Sequence, residues 1–346
     1  MKVIVPCAGK SSRYPDMRPK WMLTHPDGSL IVKKALEGLN VKTKDIVIAI
    51  LKEHEEKYDI AKGLRENIGE DITIVVLEES VKSQAGDVWQ TLKKIDLNES
   101  FLVRDSDNMF VVPNVKEDFN YVCFSDIQEY KEINAGNKSY IKMNDQGIIV
   151  DIIEKKVVSS SFNVGGYFFR SPKEFIESYE RLREKGNTEL YISHIIGDLI
   201  VNKKVIFFGK KVNSYFDFGT AEDWFKYRQK FKTYFIDIDG VVFKNAAQYF
   251  KPRWEDSSPI NENLKIIKKL CEDPYCQVYF ISSRPEKYRE MTTLQLKKYG
   301  IRCDGLIMGC RHCKRIIVND FSNTTGYPFC EAINILRDSE DLNKYI

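Results

Sequence analysis

Short β-branched runs alternate along this chain with stretches whose apolar residues recur every three to four positions, and few folds accept that alternation. Residues 3–6, 46–51, 72–77, 101–104 and 121–125 are strand-sized and are separated by segments of helical periodicity. Strands that alternate with helices predict an α/β fold with a largely parallel sheet, because parallel neighbours need a long crossover and a helix is the usual one. A second series starts at Thr233-Tyr-Phe-Ile-Asp-Ile-Asp-Gly, continues through Val278-Tyr-Phe-Ile-Ser-Ser and ends near Arg315-Ile-Ile-Val-Asn-Asp. Two α/β domains are therefore predicted, residues 1–231 and 232–346. The helical run 221–231 leads straight into the second without a Pro/Gly/Ser linker. No internal repeat or low-complexity tract interrupts either series.

Composition narrows the function. Lys and Arg number 53 against 50 Asp and Glu, a formal charge of +3, and this balance gives no electrostatic ground for a nucleic-acid binder. Apolar residues at 43%, with 18 Tyr and 20 Phe, suffice for packed cores. The longest apolar runs, such as residues 46–51, are strand-sized, so no membrane span is predicted. The first residues turn into a Gly/Ser loop by Gly9 and lack the apolar stretch of a secretory signal. Eight scattered cysteines read as reduced thiols, and a cytoplasmic location is expected. Cys310-Arg-His-Cys313 lacks a second pair at finger spacing and is a weak zinc signal.

Chemistry is first suggested by Ala8-Gly-Lys-Ser-Ser-Arg13, followed by Pro19-Lys20, just past the first strand. Open α/β sheets bind ligands at the carboxyl ends of their strands. There Gly9 would let backbone N–H groups approach an anion, and Arg13 and Lys20 could neutralise a triphosphate. The spacing fits neither G-x-x-x-x-G-K-[ST] nor G-x-G-x-x-G. Further on, Asp105 and Asp107 follow the apolar strand 101–104, and Asp217 follows another apolar run; carboxylates at strand ends suggest Mg²⁺, although any one of them alone also fits an Asx turn or a helix cap.

Taken in order, Gly9-Lys-Ser-Ser-Arg13 with Lys20, Ser106-Asp-Asn108, Ile153-Glu-Lys155, Asn163-Val-Gly-Gly166 and Asp217-Phe-Gly-Thr-Ala-Glu222 resemble the sugar-phosphate nucleotidyltransferases, the nucleotide-sugar pyrophosphorylases. The resemblance spans about two thirds of the chain. It implies a Rossmann-like, GT-A-like α/β domain in which Ala8, Gly9, Lys10, Ser11, Ser12 and Lys20 hold the triphosphate and Arg13 stabilises the transition state. It further implies Mg²⁺ on Asp107 and Asp217, with Asp105 beside them, and Gln84 and Gly86 near the base. Lys155 would meet the acceptor phosphate, and Glu154 and Gly165 would line the sugar side. The implied substrates are a nucleoside triphosphate and a small phosphorylated acceptor, the product serving a surface or capsular polysaccharide. Lys10-Ser11-Ser12 is poorer in Gly than the family loop, and residues 21–28 differ from the usual acceptor-side sequence. Base, acceptor and any homo-oligomeric assembly stay open. So do three other readings: a cytidylyltransferase for a phospho-alcohol or phospho-amino acid, a GT-A glycosyltransferase using Asp105 and Asp107, and a nucleotide-binding regulator without turnover.

In the second series, Asp237 and Asp239 sit two apart at a strand end, so their side chains point the same way. One could serve as a nucleophile and the other as a general acid/base. With Gly240 and Val241 following, the segment resembles the first motif of the haloacid dehalogenase (HAD) superfamily, and residues 232–346 resemble its small Rossmannoid phosphatase domain. That resemblance implies Ser282 as a phosphate ligand, Lys314, or else Lys298, as the phosphate-binding cation, which no spacing fixes, and Asp237, Asp239 and Asp320 around Mg²⁺. A bifunctional enzyme is expected, with a degenerate, structural second domain as the alternative, because Asn319-Asp320 is less acidic than the usual fourth motif.

Overall fold

The computed structural model describes residues 1–9, 14, 17–79, 83–112, 114–130, 135–186, 189–320 and 328–346. The chain divides into two compact units, Met1–Trp224 and Phe225–Ile346, and the division falls within the helix Ala221–Arg228. The strands are β1 (Lys2–Cys7), β2 (Ile46–Leu51), β3 (Thr73–Leu77), β4 (Phe101–Arg104), β5 (Asn108–Val111), β6 (Asn120–Asp126), β7 (Tyr140–Met143), β8 (Ile149–Ile153), β9 (Ser161–Phe169), β10 (Phe207–Lys211) and β11 (Asn213–Asp217) in the first unit. The second unit has β12 (Lys232–Asp237), β13 (Cys276–Ile281) and β14 (Gly305–Ile307).

Among the described residues the first unit holds a nine-stranded sheet whose main path runs β10-β6-β9-β4-β1-β2-β3. Its side chains go alternately to two cores. Ile4, Val47, Ala49, Leu51 and Val103 enter one; Val3, Val5, Ile46, Ile48, Ile50 and Leu102 enter the other. A sheet buried on both faces needs helices on both, and this explains why β2 is apolar at every position rather than at every second one. The helix Gln84–Lys94 starts at Ser83, whose hydroxyl accepts the Gly86 N–H, and Pro172–Glu184 starts at Ser171, whose hydroxyl accepts the Glu174 N–H.

The sheet is mixed rather than largely parallel. β1 pairs in parallel with both β2 and β4, and β2 with β3, but β9 runs antiparallel between β4 and β6. Apart from its first residue β9 is buried throughout, so it lacks the alternation that marks a one-sided antiparallel strand. The second unit's sheet is parallel in the order β12-β13-β14. Residues 315–320, expected as its last strand, form none. Ile316, Ile317 and Val318 are exposed, and Gly305–Ile307 takes the place beside β13. β-branched composition supplies strand propensity but not a partner, and here no ladder forms. Among the described residues no helix is long and apolar enough to cross a membrane.

Asp198, buried on the helix Ile192–Lys203, accepts from the Ser178 hydroxyl at 2.6 Å, from Asn202 Nδ2 at 2.7 Å and from the Arg181 guanidinium. Burial pushes its carboxyl up, but these donors outweigh burial and hold it below the ordinary value. A carboxyl depressed in the native state adds stability above its unfolded pKa and loses it as pH falls through the native one. Asp198→Asn is therefore expected to be about 2 kcal/mol less stable than the parent near neutrality, with the gap closing in acid. Urea midpoints across pH test this, and a gap independent of pH would contradict it.

Candidate active site

The sheet order reverses at β1, whose neighbours β2 and β4 lie on opposite sides, and such a switch point leaves a crevice outside the carboxyl ends of the strands. A cleft of about 640 Å³ opens there. Gly9 and Tyr14 after β1, Lys20 in the short turn Lys20–Met22, and Gln84 at the start of its helix form one part of its wall. The turn after β4, the middle of β9 and the end of β11 form another.

The turn after β4 is held from beneath by Arg104, which is fully buried. Its Nε donates to the Ala35 carbonyl at 2.9 Å, Nη1 to the Asp105 carbonyl at 2.9 Å and to Asn108 Oδ1, and Nη2 to the Asn108 carbonyl at 2.8 Å. The guanidinium lies 3.7 Å from the Phe110 ring centre. Burial lowers its pKa to about 10, which leaves it charged at neutral pH.

The two carboxylates of the turn have different partners. Asp105 receives Gln84 Nε2, and its backbone N–H donates to the Gly165 carbonyl at 2.8 Å. Burial, and then the neighbouring Asp107, push the Asp105 carboxyl up. Asp107 is ion-paired with Lys20; burial pushes it up as well, but Lys20 and Lys138 outweigh burial and hold it down.

Asp217 reaches the same place through a two-stranded antiparallel ribbon in which it pairs with Asn108. The Phe218 N–H donates to the Asp107 carbonyl at 2.8 Å. Asp217 is ion-paired with Lys138 and accepts the Gly219 N–H at 3.0 Å. A Cβ on Gly219 would lie 3.1 Å from Asp217 Oδ1 and 3.7 Å from Asp107 Oδ2, so both carboxylates face one space. Two carboxylates suit Mg²⁺, which takes few protein ligands and completes its shell with phosphate oxygens and water. Among the described residues no group of three or more His, Cys, Asp or Glu is placed to hold a metal by itself.

On the opposite wall, Glu154 Oε2 accepts the hydroxyls of Ser139 at 2.5 Å and Ser193 at 2.8 Å. Lys155 is exposed, and its Nζ donates to the Tyr191 hydroxyl at 2.7 Å. The Gly165 N–H donates to Asn163 Oδ1 at 2.9 Å. The structure thus brings Gly9, Lys20, Gln84, Asp105, Asp107, Glu154, Gly165 and Asp217 to one cleft, with Lys155 against Tyr191, which also lines it. Ala8 is buried at the end of β1, and the Gly86 N–H is taken up by the Ser83 cap. Lys10, Ser11, Ser12 and Arg13 lie outside the described residues. Sequence reasoning missed Tyr14, whose hydroxyl lies 2.5 Å from the Phe218 carbonyl and 2.8 Å from that of Thr220 and shares its one proton between them. It also missed Lys138, which precedes a short strand and carries no motif.

In the second unit, Asp237 ends β12 and pairs in register with Ile281 of β13, so residues after both strands gather at one sheet end. Arg284, fully buried, donates through Nη2 to Asp239 Oδ1 at 2.7 Å and through Nε to Oδ2 at 3.0 Å; its Nη1 donates to Gln295 Oε1 at 2.8 Å. Asp237 is ion-paired with Arg315 at 3.1 Å. Ser282 is buried, its Oγ accepting the Arg284 N–H at 3.1 Å. Lys314 and Asp320, expected as phosphate and metal ligands, lie exposed on the irregular segment that was expected to be a strand. A carboxylate on such a segment is not fixed by a sheet end, as Asp237 is. Arg284, not foreseen from sequence, is the cation the fold fixes on Asp239.

No protein-family model matches this chain, and no curated protein sequence matches it. Solved structures do. A nucleoside-diphosphate-sugar pyrophosphorylase from Vibrio cholerae RC9 superposes with a TM-score of 0.54 at 18% identity, over 65% of this chain and 98% of that one. A putative glucose-1-phosphate thymidylyltransferase from Bacillus anthracis gives 0.51 at 19% identity, over 65% and 92%. The inositol-1-phosphate CTP transferase from T. maritima gives 0.50 at 16% identity, over 64% and 90%. These likenesses show that the chain contains the α/β, Rossmann-like fold of the nucleotidyltransferases.

Gly165 has φ +85°, and a Cβ there would lie 2.7 Å from the Asp105 Cβ and closer still to its carboxylate. Gly165→Ala is expected to destabilise the protein by about 1–3 kcal/mol, read as a lower denaturant midpoint. An unchanged midpoint would contradict the close approach.

Proposed function

We propose that the first unit transfers a nucleotidyl group from a nucleoside triphosphate to a small phosphomonoester, a sugar phosphate or a phospho-alcohol, and releases pyrophosphate. The observation that carries this reading is convergence: Gly9, Lys20, Gln84, Asp107, Glu154, Gly165 and Asp217, from separate stretches of sequence, line a single cleft at the switch point of the sheet. The solved structures with this fold are named for transfer to sugar phosphates and to inositol 1-phosphate, and such acceptors head the substrate panel below. The product would be an activated precursor made in the cytoplasm for a surface polysaccharide.

In the reaction an acceptor phosphate oxygen attacks the α-phosphorus, the bond to the bridging oxygen of the β-phosphate breaks, and pyrophosphate leaves with the electron pair. The attacking phosphate is already anionic, so the residues are needed for positioning and charge neutralisation rather than as a general base. Lys20 neutralises the triphosphate, with Arg13 assigned beside it from the sequence resemblance. Glu154, fixed by two serine hydroxyls, accepts a hydroxyl of the acceptor, and Lys155 meets its phosphate. Mg²⁺ held by Asp107 and Asp217 would supply further charge neutralisation at the phosphates.

For the second unit we propose Mg²⁺-assisted hydrolysis of a phosphomonoester with Asp237 as nucleophile. The support is the gathering of Asp237, Asp239 and Ser282 at one sheet end. Asp237 would take the phosphoryl group as the ester oxygen leaves, and water would then release phosphate.

Pyrophosphate release tests the first proposal, with CTP, UTP, GTP, ATP and dTTP each paired with sugar 1-phosphates, inositol 1-phosphate and other phospho-alcohols. One pair is expected to react, and Lys20→Ala and Asp107→Asn are each expected to lose about 100-fold or more in kcat/KM. Nucleoside diphosphate released from a nucleotide sugar, with no pyrophosphate from any pair, would move the assignment to glycosyl transfer. For the second unit, hydrolysis of p-nitrophenyl phosphate is expected in the parent and absent in Asp237→Asn; equal rates in the two would remove Asp237 as nucleophile.

A further inference from the structure

Lys138 stands at the two carboxylates of the cleft although nothing in the sequence pointed to it. Its Nζ donates to Asp217 and, at 2.8 Å, to the Tyr215 hydroxyl, and its side chain is 13% exposed. Asp107 in turn is ion-paired with Lys20. Two ammonium groups thus face two carboxylates around the space beside Gly219.

A divalent cation cannot simply be added to this arrangement. An oxygen lone pair directed at an ammonium N–H is not available to a metal, and an ammonium and a divalent ion on one carboxylate repel. If the metal takes the Asp217 oxygen that Lys138 holds, Lys138 must give way. The anions that then come within its reach are the phosphates that arrive with the metal.

We propose that Lys138 is a phosphate-binding residue kept in place by Asp217: in the unliganded chain it neutralises that carboxylate, and when metal and triphosphate enter together it passes from the carboxylate to a phosphate oxygen. The proposal rests on the reading that Asp107 and Asp217 hold a divalent ion. It gives Lys138 opposite effects on two ligands, competing with bare metal and favouring the phosphate. Metal and triphosphate are then linked, each promoting the other. A residue that only props up the cleft would weaken both ligands when removed.

The test measures Mn²⁺ binding by electron paramagnetic resonance without phosphate ligand, and binding of inorganic triphosphate, which carries no base, in the presence of Mn²⁺. The proteins are the full chain and its Lys138→Met, Lys138→Arg and Asp217→Asn variants, each checked for folding by circular dichroism. Lys138→Met is expected to bind bare Mn²⁺ about tenfold more tightly than the parent and triphosphate about tenfold more weakly. Lys138→Arg is expected to stay near the parent in both, and Asp217→Asn to lose the Mn²⁺ site. Bare Mn²⁺ binding unchanged or weakened in Lys138→Met, while Asp217 still governs metal binding in the parent, would overturn the role of Lys138 and leave the metal site standing. Mn²⁺ binding that ignores Asp217 with and without triphosphate would remove the metal reading, and this proposal with it.

Discussion

A guanidinium shut away from water at the end of β4 is the constraint on which the candidate active site depends. Arg104 donates to carbonyls of residues 35, 105 and 108 and to the Asn108 side chain, and its flat face covers Phe110. A buried charge is tolerated only when its donors are taken up. Apart from the Ala35 carbonyl, in the helix Ile31–Glu37, the acceptors belong to the turn that carries Asp105 and Asp107 and to the strand that follows it. That strand pairs with β11, and the pairing brings in Asp217. One buried cation thus fixes the platform on which residues more than a hundred positions apart share a space.

Around the platform, charge is distributed unevenly. Asp105 sits under Gly165 and against Gln84, where burial favours its neutral form. Asp107 and Asp217 are instead balanced by Lys20 and Lys138. Paired charges of both signs in one cleft suit the ligands proposed for it, a divalent cation and a phosphate. Tyr14 is joined by its hydroxyl to the carbonyls of Phe218 and Thr220, next to Asp217.

Much of this was legible in the sequence. Residues 46–51 and 101–104 stand in the structure as β2 and β4, because uninterrupted apolar runs of that length are hard to place elsewhere. Gly9, Lys20, Asp107, Glu154, Gly165 and Asp217 stand out in the sequence by motif, and all line the cleft. What failed to show depends on distant partners. β9 has no alternation because its two faces are buried in two cores, so its antiparallel course left no local mark. Lys138 and Tyr14 act through contacts about eighty and two hundred positions away. Ile316, Ile317 and Val318 show the reverse, a strand-like composition with no ladder.

Diffraction from crystals of the full chain soaked with Mn²⁺ and inorganic triphosphate puts nucleotidyl transfer at this cleft to its most direct test, since manganese is located by anomalous scattering. The expected result is a manganese peak between the Asp107 and Asp217 carboxylates, with the triphosphate running toward Gly9 and Lys20. Manganese away from those two carboxylates, or triphosphate bound outside the cleft, would contradict it.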